Sequence, residues 1–207
     1  MHVYKADTLI NCYPVTHASD DFEYQSGILA HKILDEFEET EITRIELGWP
    51  GMEASVLNET FATFAQLNIP KTGLDEFKLE GVYDLEERLD ETVIDQFAVH
   101  CKSLIRLSIC NMKTKLPKPV YLQVVELATL LVESQEDSRM EELDFTRMSQ
   151  EDAEEPVEEE IRLLTSLLDS PITMIKFLHF RGNKEWFANA ETAGYLCEFI
   201  EGQKQLW

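Results

Sequence analysis

Positive charge is scarce in this chain. Its 207 residues carry 18 Lys and Arg against 40 Asp and Glu, a formal net charge of −22. Such a surface repels nucleic-acid backbones and anionic lipid headgroups, so no nucleic acid and no membrane is expected as a partner. It favours basic protein partners instead. Long apolar runs are missing too: no stretch approaches the roughly eighteen apolar residues of a spanning helix. The opening residues MHVYKADTLINC lack the basic start and apolar run of a secretory signal. Four cysteines, Cys12, Cys101, Cys110 and Cys197, form no C-x-x-C. They read as free, packed thiols of an intracellular, reducing compartment, so a cytoplasmic location is expected.

Motifs that carry chemistry are equally scarce. The eight glycines are scattered singly, and no G-x-x-x-x-G-K-[ST], G-x-G-x-x-G or G-x-S-x-G occurs. The five histidines, His2, His17, His31, His100 and His179, include no H-E-x-x-H and no cluster at metal-ligand spacing. Among 40 acids, close carboxylates arise by chance. A pair such as Glu142 and Asp144 therefore reads as a polar surface rather than as acid–base machinery. The calcium loop D-x-[DN]-x-[DN]-G is also missing. The expectation is a non-enzymatic protein with no catalytic residue, metal or cofactor.

What is present is one short phrase written five times. The copies are Ile42-x-x-Ile45-x-Leu47, Leu74-x-x-Phe77-x-Leu79, Leu104-x-x-Leu107-x-Ile109, Met140-x-x-Leu143-x-Phe145 and Ile175-x-x-Leu178-x-Phe180. Their first residues lie 32, 30, 36 and 35 positions apart, and Leu206 opens a further step 31 positions on. Met1-x-x-Tyr4-x-Ala6 reads as a degenerate earlier copy. Each phrase alternates as a half-buried strand does. Behind each comes a stretch with helical spacing: Leu57, Phe61, Phe64 and Ala65; Leu89, Val93 and Phe97; Val124, Leu127 and Leu131; Val157, Ile161, Leu164 and Leu168; Ala193, Leu196 and Ile200. A single strand–helix unit cannot bury both apolar faces. Stacked copies can, with a parallel sheet lined by a row of helices.

This pattern resembles the leucine-rich repeat family, in its long-repeat, ribonuclease-inhibitor-like type. The resemblance spans 41–207. It implies an α/β solenoid of about five to six irregular repeats, with parallel strands on the concave side and helices on the convex side. It also implies an Asn or Cys three positions after the last apolar strand residue, where the side chain satisfies turn backbone. Asn183 fits that place, while Pro50, Val82, Met112 and Met148 occupy it elsewhere. An irregular turn ladder is expected.

Residues 1–40 form an N-terminal segment, loop-like at first and helical from Ser26 to Glu39. The runs 67–73 and 113–119 read as breaks, with Pro119 in the first turn of a helix. Seven acids between Gln150 and Glu160 read as a solvated helix start. Neither terminus carries an obvious polar cap, and the chain stops at Gln205-Leu206-Trp207 as a new copy begins. The expectation is a solenoid open at its C-terminal end, within a longer solenoid or a larger complex.

The outward strand positions are the candidate partner-binding residues: Arg44, Glu46, Glu76, Lys78, Arg106, Ser108, Glu142, Asp144, Phe177 and His179, joined by Arg181. Trp49 and Trp186 follow strand phrases, and packing under a loop edge is their expected role. The expected function is a protein–protein interaction scaffold that displays side chains on a rigid surface. The alternatives are a structural subunit of a large assembly, a recognition arm of a ubiquitin ligase, and a regulator of a small GTPase.

Overall fold

The structure is a computed structural model that describes residues 2–5, 8–11, 44–47, 58, 61–62, 74–80, 90–112, 118–148 and 156–206. The predicted helix over 26–39, the breaks over 67–73 and 113–117, most of the acidic run, Trp49, Pro50 and Val82 lie outside these residues.

Seven strands form one sheet: β1 (His2–Lys5), β2 (Thr8–Asn11), β3 (Arg44–Leu47), β4 (Glu76–Glu80), β5 (Arg106–Cys110), β6 (Glu142–Asp144) and β7 (Phe177–His179). Their order is β2-β1-β3-β4-β5-β6-β7. From β3 to β7 each strand lies parallel to its predecessor, with Ile45, Phe77, Leu107, Leu143 and Leu178 in successive register. The five phrases thus lie side by side and run in one direction. The phrase at residues 1–6 does not join them in this way. β1 pairs antiparallel with both β2 and β3. Two residues separate β1 from β2, and so short a link joins only antiparallel neighbours.

Among the described residues five α-helices follow these strands: α1 (Glu91–Ala98), α2 (Lys118–Glu133), α3 (Glu158–Asp169), α4 (Lys184–Ala188) and α5 (Ala190–Glu201). Asp90 starts α1 by accepting from the Thr92 N–H at 2.9 Å, and Asn189 starts α5 by accepting from the Glu191 N–H at 2.9 Å. A 3₁₀ turn, Val99–Cys101, ends α1.

The core lies on one side of the sheet. Ile45, Phe77, Leu79, Leu107, Ile109, Leu143 and Phe145 are buried against the helices, as are the leading residues Leu74, Leu104, Met140 and Ile175. Phe61 and Phe97 stack within it, with ring centroids 4.7 Å apart, and Phe77 packs against both at a tilt. α2 buries Val124, Leu127 and Leu131, as its spacing predicts.

Two helices bury a face rotated by one residue from the one expected. α3 turns Glu160, Leu163, Leu164 and Leu167 inward, leaving Ile161 and Leu168 half-buried. α5 buries Thr192, Leu196 and Phe199, while Ile200 is exposed. In both cases a buried polar residue finds partners. The Glu160 carboxylate accepts from the Tyr121 O–H, from Trp186 Nε1 at 2.9 Å and from the Val157 N–H at 2.8 Å. The Thr192 hydroxyl donates to the Trp186 carbonyl at 2.8 Å. Counting apolar residues alone places Glu and Thr outside; satisfied hydrogen bonds allow them in.

The same hydrogen bonds recur from copy to copy. Ile105 N donates to Asp75 O, Glu141 N to Ile105 O and Lys176 N to Glu141 O, at 2.7, 2.8 and 2.8 Å. Gln135 accepts from Leu104 N and donates to the carbonyls of Cys101 and Leu131. Gln203 does the same with Ile175 N and the carbonyls of Ile172 and Phe199. Each glutamine closes a helix onto the leading residue of a strand phrase.

The turns after β5, β6 and β7 also correspond. Asn111, Arg147 and Gly182 hold equivalent places with φ of 54°, 50° and 90°. A Cβ on Gly182 would sit 2.6 Å from Arg147 Cγ, so close stacking of the turns requires glycine there. Asn183 is buried, donates to the Phe145 carbonyl at 2.6 Å and accepts from the Met148 N–H at 2.8 Å. This is the backbone-satisfying role the resemblance implies. Met112 and Met148 fill the equivalent places as buried apolar residues.

Candidate interaction face

The strand register places the outward residues in two rows. Arg44, Glu76, Arg106, Glu142 and Phe177 follow one another across the sheet, and Glu46, Lys78, Ser108, Asp144 and His179 form the second row. Parallel pairing in register makes this inevitable, because each strand offers its first and third residues to the same side.

The first row is a ladder of alternating charge. Arg44 Nε lies 3.0 Å from Glu76, Arg106 NH1 lies 2.9 Å from Glu76, and Arg106 Nε lies 3.4 Å from Glu142. Arg44 also pairs with Glu46. In the second row Lys78 Nζ reaches Glu80 at 2.5 Å, and Ser108 Oγ approaches Asp144 at 3.5 Å. Burial alone would lower the Lys78 pKa, but the hydrogen bond and charge of Glu80 outweigh it and raise the value. Lys78 in turn holds the Glu80 carboxyl below its usual range, helped by Asn111. These residues line a shallow depression of about 200 Å³ floored by Phe77 and Leu107.

Of the eleven predicted site residues, eight are bound to one another or to neighbours on this face. The remaining three differ. Phe177 is 58% exposed, and His179 and Arg181 are exposed beside it. Neither His179 nor Arg181 makes an ion pair with a described residue. The alternation of β7 continues into its turn, since Phe180 is buried between the two. Trp186 is fully buried and bonded to Glu160, so it packs as expected rather than facing a partner.

Cys101 and Cys110 are buried free thiols, and Cys197 is an exposed one. Burial pushes the Cys110 thiol up to about 11 and raises Cys101 further, so neither supplies a thiolate near neutral pH. Among the described residues no group of His, Cys, Asp and Glu is placed to hold a metal ion, and no helix is long and apolar enough to cross a membrane. No family model, curated protein or solved structure matches this chain.

Proposed function

We propose that the protein is a non-enzymatic interaction scaffold, a leucine-rich-repeat solenoid that binds a protein partner through the open face of its parallel sheet. The observation that carries this reading is the pair of registered rows on a face that no described helix covers. Recurrent backbone bonds, the two glutamine closures and the stacked turns support the solenoid. A rigid rack of side chains limits the ordering cost of binding. The ladder fixes orientation by polar complementarity, while Phe177 with Arg181 supplies the anchor, because exposed aromatic and Arg residues dominate binding hot spots. Buried thiols suit a reducing, cytoplasmic setting.

Pull-down with the intact chain and mass spectrometry identifies the partner. Joint replacement of Phe177, His179 and Arg181 by Ala then lowers its affinity by about a hundredfold or more. Unchanged affinity moves the interface to the helices. Hydrolysis stimulated at catalytic amounts across a panel of small GTPases overturns the binding-only reading.

A further inference from the structure

On the opposite side of the molecule, α1, α2 and the first turn of α3 line a groove of about 340 Å³. Its floor is Ile94, Leu122 and Leu130, and its rim is Asp95, Glu126 and Glu159. Leu122 and Leu130 lie two turns apart on one face of α2, with Glu126 between them. Leu122 and Leu130 are only half-buried although they face apolar neighbours. Among the described residues, only Glu126 of this rim is balanced by a cation. α1 contains no Lys or Arg, and α2 contains only Lys118 at its first position. Arg162 is already engaged, 2.9 Å from Glu126 and 3.2 Å from Glu133. Asp95 and Glu159 make no ion pair with a described residue.

We propose that this groove docks a basic amphipathic helix of a partner protein, with apolar side chains seated on Ile94, Leu122 and Leu130 and Lys or Arg against Asp95 and Glu159. Helix-in-groove recognition needs an apolar channel with charges of opposite sign at its edges. The charge decides between occupants. A second copy brings another −22 and meets the acidic rim with more acid, whereas a basic segment is drawn in by the whole molecule's field. A −22 chain repels nucleic acid and anionic lipid in the same way. The volume admits a few side chains of one element, not a domain. This site is separate from the sheet face and stands without it.

The test is fluorescence anisotropy of the intact chain with a leucine–lysine amphipathic helical peptide and its leucine–glutamate counterpart. The lysine peptide binds saturably and the glutamate peptide does not. Leu122→Ser with Leu130→Ser keeps every charge and weakens binding by about tenfold or more. Asp95→Lys with Glu159→Lys weakens it comparably, and Phe177→Ala leaves it within about twofold. Hydrogen exchange of the complex slows across α1 and α2. If the leucine variant loses its circular dichroism, exposed Asp95 and half-buried Glu159 keep the test open. Binding that survives the serine pair in a folded chain reflects charge alone and overturns the proposal. Protection confined to β3–β7 also overturns it, while reporting on the sheet face. A concentration-dependent dimer lost on Leu122→Ser makes the groove a self-interface and overturns the proposal as well.

Discussion

Glu76 and Glu160 are the same residue type with opposite situations. Glu76 sits on the open sheet face between two arginines, at 3.0 and 2.9 Å, with a quarter of its side chain in water. Glu160 is 1% exposed, between Tyr121, Trp186 and the start of α3. On the face, water competes for every partner, and exposed pairs contribute little. In the core nothing replaces a lost partner, so the three contacts of Glu160 determine whether three elements stay together. The tyrosine shows the environment: burial, then the Glu160 charge, raises the Tyr121 pKa far above its ordinary value. Glu185 sharpens the contrast further. It is 2% exposed, and neither carboxylate oxygen has a hydrogen-bond partner among the described residues. Such a group is a cost to the fold unless it carries a proton.

The largest effect expected is from Glu160→Ala, which strands the Tyr121 hydroxyl and the Trp186 indole N–H. It lowers stability by about 3–5 kcal/mol in chemical denaturation; a loss comparable to that of a ladder residue would erase the distinction between core and face. Gln135→Ala comes next, at about 1–3 kcal/mol, because Leu104 N and two carbonyls lose one side chain that serves all three. An equal loss from Gln203→Ala would show that both closures do the same work.

The third effect is a pH slope. Burial raises the Glu185 pKa above its ordinary 4.5; the dipole of its own backbone N–H opposes this, the Glu160 charge adds to it, and Lys184 pulls weakly the other way. From there up to the folded value, the unfolded chain has released this proton and the folded chain has not, so stability falls as pH rises. Thermal melts across that window should fall less steeply for Glu185→Gln than for the parent chain; identical slopes would remove Glu185 as the cause. The smallest effect is Arg106→Ala on the ladder, below about 1 kcal/mol and smaller still at high salt. A loss as large as that from Glu160→Ala would make the ladder structural rather than a display surface.

The strands were legible because an alternating phrase has only one way to lie with one face buried. Ile45, Phe77, Leu107 and Leu143 declare their side by chemistry alone, and their neighbours then fall into rows by register. The helix faces were legible only where burial is purely apolar, as at Val124, Leu127 and Leu131. Glu160 and Thr192 defeated the same counting because long-range partners pull them inward. Gln135 and Gln203 carried an unread signal: each lies four residues beyond a buried helix residue, shortly after the helix end. The reversed β1 hairpin was invisible to a pattern that records spacing and not direction. At the site, membership of the face was readable, but the internal pairing of Arg44, Glu76, Arg106 and Glu142 and the openness of Phe177 depend on where side chains meet across strands.

Everything rests on five strands lying parallel and in register. Disulfide trapping measures this directly, in a background with Cys12→Ala, Cys110→Ala and Cys197→Ala. The pairs Glu76→Cys with Arg106→Cys, and Glu142→Cys with Phe177→Cys, occupy facing positions and close under mild oxidation in the folded chain. The offset pair Glu76→Cys with Ser108→Cys stays open. Closure of the offset pair as readily as the facing pairs, or failure of both facing pairs in a folded chain, contradicts the registered sheet and the rows of side chains built on it.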